Sequence, residues 1–331
     1  MRYKAQKILA ILILFVCLFR GMSRVSELLY PPNDIMKNWQ SFYAQEKNSI
    51  DVLIVGSSHA YSSFDPRIFQ EILDKNTYIL ATNSQTVTQT YYNVKEALKY
   101  QRPQIIILEA FSIDDNSNWQ NGGRDDADFD KNWKKESNID GMKPGLVKLE
   151  AICNQYTAGN WFYAGCRLIR CHQNWKDANL IRSNYKYLQN GVYSFECFRT
   201  SVSHMSPKVM KQYEDMDFNE TPYTISDENE KHFHMLAKLC RENDIQLYVV
   251  MAPMYDGYIE KINYNSQYES VNALVSSEQI PYLDCNTVYE EIGMIPDDFE
   301  DAFSDVIHLN AQGAEKISRY VAKKIVEWNQ E

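Results

Sequence analysis

The run Asp51 to Gly56, DVLIVG, followed at once by Ser57, Ser58 and His59, constrains this chain more than any other stretch. Four consecutive aliphatic residues stopped by a glycine read as a strand of a parallel sheet, because a strand buried on both faces loses polar alternation. Glycine straight after such a strand lets the backbone turn sharply. The next small polar side chains then stand at the carboxyl edge of the sheet, where open α/β sheets bind their ligands. A site built around Ser58 is therefore expected, with Ser57 as the alternative nucleophile and a helix-capping serine as the competing reading.

A serine at that edge needs a base. Near the other end of the chain, Phe303 to Gly313 reads FSDVIHLNAQG. Asp305 and His308 are three apart, so a helical turn puts them on one face, where the carboxylate orients and charge-stabilises the imidazole. Ser58, Asp305 and His308 compose a triad in the order Ser…Asp…His. His59, adjacent to the serine, points elsewhere and is read as a substrate contact or a structural residue. Glu109 ends a core strand at the same sheet edge and is expected to shape the pocket.

Between these ends, strands at 78–81, 105–108, 245–251 and 282–284 alternate with helical patterns at 66–74, 90–100, 226–243, 258–278 and 311–328. That rhythm predicts an α/β fold with a three-layer, doubly wound parallel sheet. It is lost from about 112 to 225, a stretch rich in Asn, Asp, Trp, Tyr and Gly. The expectation there is a large irregular insertion over one sheet edge; a substrate lid with aromatics stacking on sugar rings is the functional alternative. Pro31 and Pro32 mark residues 25–49 as a linker between an N-terminal segment, 1–24, and a domain over 50–331.

GSSH after the first strand, and DxxHL before a final amphipathic helix, resemble the first and last motif blocks of the SGNH/GDSL hydrolase superfamily. The resemblance covers roughly residues 50–110 and 226–331. It implies a flavodoxin-like three-layer fold, with Ser58 as nucleophile and Asp305 and His308 as its partners. The GSS form behind an N-terminal anchor is more similar to the export-side acyl-transfer branch, which includes alginate and peptidoglycan O-acetylation proteins and the D-alanyl transfer protein of teichoic acid synthesis. That branch implies a cell-surface polysaccharide or acyl ester as substrate. It also implies a membrane-bound O-acyltransferase as partner, of which the chain's own residues say nothing. The sequence departs from the superfamily where the oxyanion donors belong. Thr82, Asn83, Ser84 and Gln85 follow the second strand without a glycine, and Glu109, Ala110 and Phe111 follow the third without GxND. Asn83 or Ser84 is left to donate from the backbone, and the third donor is unassigned.

Ile8 to Phe19 is twelve continuous apolar residues behind Arg2, Lys4 and Lys7. This is shorter than the ~20 residues of a full span, yet no small-residue cleavage pattern follows. Snorkelling of Lys7 and Arg20 extends the reach. The reading is an uncleaved signal anchor with the body exported, single-pass, and a cleaved signal peptide is the alternative. The net charge of −10 over 331 residues becomes more acidic beyond residue 24, at 29 basic against 44 acidic residues, which argues against nucleic acid as a partner. Six cysteines beyond the apolar run permit disulfides, with free buried thiols the reading for Cys240 and Cys285. His232 and His234 lie on different helix faces and the acids at 297–305 lack the calcium-loop spacing, so no metal is expected, and the triad chemistry needs no cofactor. The function expected is an exported serine-dependent O-acyltransferase, with acetyl the expected acyl group, acting on cell-surface polysaccharide. The alternatives are a carbohydrate or acyl esterase with the same triad, and a non-catalytic glycan-binding or assembly protein.

Overall fold

The computed structural model describes residues 2–30, 34–113, 138–189, 198, 200–206, 208, 211, 223–294 and 302–330. Among these, five strands form one sheet: β1 (Val52–Gly56), β2 (Thr77–Ala81), β3 (Ile105–Glu109), β4 (Gln246–Met251) and β5 (Tyr282–Asp284). Their order is β2-β1-β3-β4-β5 and every pairing is parallel, with Val52 opposite both Thr77 and Ile105. Successive residues alternate between two cores. Leu53, Val55, Tyr78, Leu80, Ile106, Leu108, Leu247 and Val249 face one, while Val52, Ile54, Ile79, Ile105, Ile107, Tyr248 and Val250 face the other. Both faces being apolar explains why these strands read as unbroken hydrophobic runs.

Helices cover both faces. On the first lie α2 (Asp34–Ala44), α5 (Val87–Ala97), α8 (Asp227–Glu242) and α9 (Tyr264–Ser277), contributing Trp39, Phe42, Tyr92, Phe233 and Val271. On the second lie α3 (Ser58–Ser63), α4 (Pro66–Leu73) and α10 (Ala311–Trp328), with Phe64, Phe69, Ile317, Val321 and Ile325. Each such side chain, fully buried, contributes about 1.5–3 kcal/mol. This is the expected three-layer α/β arrangement, consistent with a flavodoxin-like fold. Strand order reverses between β1 and β3, which places the switch point at the serine turn.

Two expectations are corrected. The segment read as a linker is largely helical. The first helix, α1, runs Arg2–Leu29, and α2 follows with Trp39 and Phe42 wholly enclosed. Asn38 Nδ2 donates to the Ala81 carbonyl at 3.1 Å, and the Tyr78 hydroxyl donates to the Asn38 carbonyl at 2.9 Å. Apolar burial and these bonds hold α2 on the sheet; the proline break read at 31 and 32 lies outside the described residues. The insertion read as irregular is largely helical over 138–189, with α6 (Leu146–Gln155), α7 (Ala178–Gln189) and short turns at Trp161–Gly165 and Arg167–Cys171, while 200–206 is non-helical. Its residues 114–137, and the acids Asp297, Asp298, Glu300 and Asp301, lie outside the described residues. The stretch Gln6–Leu29 of α1 has a mean hydropathy of 2.1 over its most apolar window. At 1.5 Å per residue its 24 residues reach about 36 Å, long and apolar enough to cross a ~30 Å hydrocarbon layer.

Candidate active site

Gly56 ends β1 at φ +146°, and a Cβ there would sit 2.8 Å from Glu109 Cβ. Only glycine fits both the dihedral and the approach of β3. Ser57 then caps α3, its Oγ accepting from His59 N at 3.3 Å and donating to Glu109 Oε2 at 3.3 Å. Ser57, committed to these two bonds and 1% exposed, is structural. Ser58 is the first residue of α3 and is part-exposed. Its N–H belongs to the first turn, where amides have no intrahelical acceptor.

His308 lies in the loop before α10. Ser304 N–H donates to the His308 carbonyl at 2.9 Å, and Phe303 bridges Leu309, closing a tight loop. Asp305 and His308 were expected on a helical turn; they meet instead because Asp305 Oδ1 accepts from the backbone N–H of Ile307 at 2.9 Å and of His308 at 2.8 Å. An Asx-type turn achieves at this spacing what a helix would have. His308 Nδ1 lies 2.9 Å from Asp305 Oδ2, and His308 Nε2 lies 2.8 Å from Ser58 Oγ. Burial raises the Asp305 pKa, but its hydrogen bond and charge interaction with His308, with the two N–H donors, outweigh that and hold the carboxyl below its ordinary value. An ionised Asp305 fixes the proton on Nδ1, which leaves Nε2 to accept from the serine.

Neighbouring segments pin this loop. Tyr255 N–H donates to the Val306 carbonyl at 2.9 Å, Met205 N–H to the Phe303 carbonyl at 2.7 Å, and Thr200 Oγ1 to the Leu309 carbonyl at 3.1 Å. The end of the insertion thus packs along the histidine loop.

The other candidates separate. Asn83 lies beside α3, its Oδ1 accepting from the Tyr61 hydroxyl. Tyr61 is three residues beyond Ser58, so this bond ties Asn83 to the serine's own helix. Ser84 follows at φ +54°, in the left-handed region. Glu109 is enclosed beneath Ser57 rather than lining an open pocket, and Phe111 N–H donates to its Oε1 at 3.0 Å. Burial raises its pKa to about 8 against those donors, so the neutral acid prevails at pH 7. His59 is buried, stacked on Phe111 at 3.8 Å between ring centroids and 5.0 Å from the His308 ring. Burial, then the His308 charge, push its pKa well down, so it stays neutral. Sequence reasoning missed Tyr61 and Phe111; the three-residue spacing of Ser58 and Tyr61 was the only signal for either.

Among the described residues, no group of three or more His, Cys, Asp or Glu is placed to hold a metal ion. Cys17, Cys153, Cys166, Cys240 and Cys285 are free thiols, the last two enclosed in the cores; Cys171 is buried, and Cys197 lies outside the described residues. Neither the protein-family models nor the curated proteins hold a match to this chain.

Proposed function

We propose that this chain is a membrane-anchored serine acyltransferase of SGNH type, which moves an acyl group, as acetyl, onto hydroxyls of a cell-surface polysaccharide. The observation that carries the reading is the continuous chain from Asp305 through His308 to Ser58, closed by the 2.8 Å contact between Nε2 and Oγ. His308 Nε2 takes the Ser58 proton as Oγ attacks the acyl carbonyl. The tetrahedral oxyanion is met by the Ser58 N–H and the Asn83 amide, and His308 returns the proton to the leaving group. An acceptor hydroxyl, deprotonated by the same imidazole, then attacks the acyl-serine and regenerates Oγ. Glu109 and His59, both neutral, hold the turn without taking part in proton transfer.

The transferase is favoured over an esterase by α1, which would hold the domain at the membrane surface where envelope polysaccharides are assembled. The basic residues ahead of the apolar run favour a cytoplasmic N-terminus with the domain outside. A membrane-bound O-acyltransferase supplying the acyl group fits this placement.

The test is mass spectrometry of the full chain in detergent after incubation with an aryl acetate, with acetate release followed with and without oligosaccharide acceptors. An acetyl adduct on Ser58 that moves to sugar in preference to water is expected. Ser58→Ala should abolish the adduct, and Asp305→Asn should slow its formation by about 10⁴-fold. Release to water alone would make the chain an esterase. No adduct under conditions that label a control serine esterase would refute both enzymatic readings.

A further inference from the structure

The exposed aromatic side chains concentrate where α1 meets the insertion. Three backbone carbonyls at the end of α1 are taken by insertion side chains. Asn174 Nδ2 donates to Leu29 O at 2.9 Å, and Asn184 Nδ2 donates to Leu28 O at 2.8 Å and Tyr30 O at 2.7 Å. These bonds satisfy the helix's orphan acceptors and fix the insertion against the exit point of α1. The residue after each asparagine is aromatic and turned outward: Trp175 is 63% exposed and Tyr185 53%. Trp161 and Phe162, at 42% and 74%, extend the same subdomain.

Charge follows the same pattern. Residues 161–189 hold five basic residues against Asp177, in a chain whose net charge is −10; Arg170 is enclosed and paired with Asp140, which leaves four basic residues for the surface. Lys176, Arg182 and Lys186 are exposed, and the Arg167 guanidinium lies 5.3 Å from the Tyr30 ring centroid. Exposed Trp, Tyr and Phe interleaved with Lys and Arg, at the end of an apolar helix, is the composition that settles at a membrane–water interface. A soluble face would have no reason to expose so many large aromatics together.

We propose that residues 161–189 form an interfacial platform that lies on the lipid surface beside α1, with Trp175, Tyr185, Trp161 and Phe162 in the headgroup region and Lys176, Arg182 and Lys186 on anionic lipid. The occupant is the bilayer itself because the patch is continuous with the apolar helix through the asparagine bonds. The platform rests on α1 as a membrane span. It would fix the tilt of the domain, and so the height of Ser58 above the bilayer, as a single flexible anchor would not.

The full chain is reconstituted into vesicles of phosphatidylcholine and phosphatidylglycerol, with and without phosphatidylcholine brominated near the headgroup end of its acyl chains. The Trp175 signal is read as the difference between the parent chain and Trp175→Phe. Tyr185→Trp supplies an independent added signal. Both signals should be quenched about twofold or more by the brominated lipid and shielded from aqueous acrylamide. Vesicle flotation with signals open to acrylamide and untouched by bromine would overturn the platform while leaving the span, and would leave the patch to a protein partner. Failure to float with the vesicles would overturn the span and the platform together. Neither outcome touches the triad reading, which the Ser58 adduct tests by itself.

Discussion

Glu109 is an acid enclosed beneath the serine turn, with its pKa raised to about 8 by burial, against the donors Phe111 N–H, Ala252 N–H and Ser57 Oγ. Its proton has a thermodynamic consequence. The native state keeps it up to about pH 8, whereas the unfolded chain releases it in the ordinary carboxylate range. Native protein therefore binds more protons across that interval, and stability falls as pH rises through it. Glu109→Gln keeps an acceptor for the same donors and removes the titration. In urea unfolding between pH 5 and 9, the parent chain should lose stability relative to the variant as pH rises, levelling off above about 8. Parallel curves would show that Glu109 is ionised in the folded protein. At this scale the sequence disclosed that Ser58, Asp305 and His308 belong together, because the roles proposed for them restrict residue type. It did not disclose that Glu109 lies under Ser57 or that Phe111 carries His59, since those contacts join residues some fifty positions apart across the sheet.

The element that aims His308 is α10, through its cap. Asn310 Oδ1 accepts from the N–H of Gln312 at 2.9 Å and Gly313 at 3.2 Å, and Asn310 N–H donates to the Ala302 carbonyl at 2.9 Å. Gly313 passes so near Ala302 that a Cβ would lie 2.3 Å from its carbonyl oxygen. Helix start and histidine loop are thus one unit. Asn310→Ala should cost about 1–2 kcal/mol in urea unfolding and slow acetylation of Ser58, whereas Asn310→Asp, which keeps the acceptor, should retain most of both. Equal losses in the two variants would place the effect outside the cap. Sequence patterns disclosed elements of this kind unevenly. The sequence offers Ser226 or Asp227 as the cap of α8, and it is the Ser226 side chain that accepts from Asn229 N–H. The T-x-x-Q capping box of Thr86 and Gln89 starts α5 at Val87, three residues before the expected Thr90. Asp305–His308 was read as helical because three-residue spacing fits both a helical turn and an Asx turn, and spacing alone does not separate them.

At the scale of the molecule, the domain begins with α2, earlier than the expected residue 50. Trp39 and Phe42 pack edge to face at 5.7 Å and meet Tyr78 of β2, while Asn38 bonds into the same strand. The catalytic-edge strand β1 pairs directly with β2, so α2 supports the strand beside the serine turn. A short segment of mixed polarity reads as linker because its two large anchors, three residues apart, are too few to set a period. Removing either leaves a void that packed neighbours fill only in part, so Trp39→Ala should destabilise the domain by about 3–5 kcal/mol. A chain starting at residue 50 discards both anchors and the Asn38 bonds, and should give neither a cooperative urea transition nor Ser58 acetylation. One starting at residue 30 keeps α2 and should show both. If the shorter chain unfolds cooperatively at the same midpoint as the longer one, α2 is an appendage of the anchor rather than part of the core.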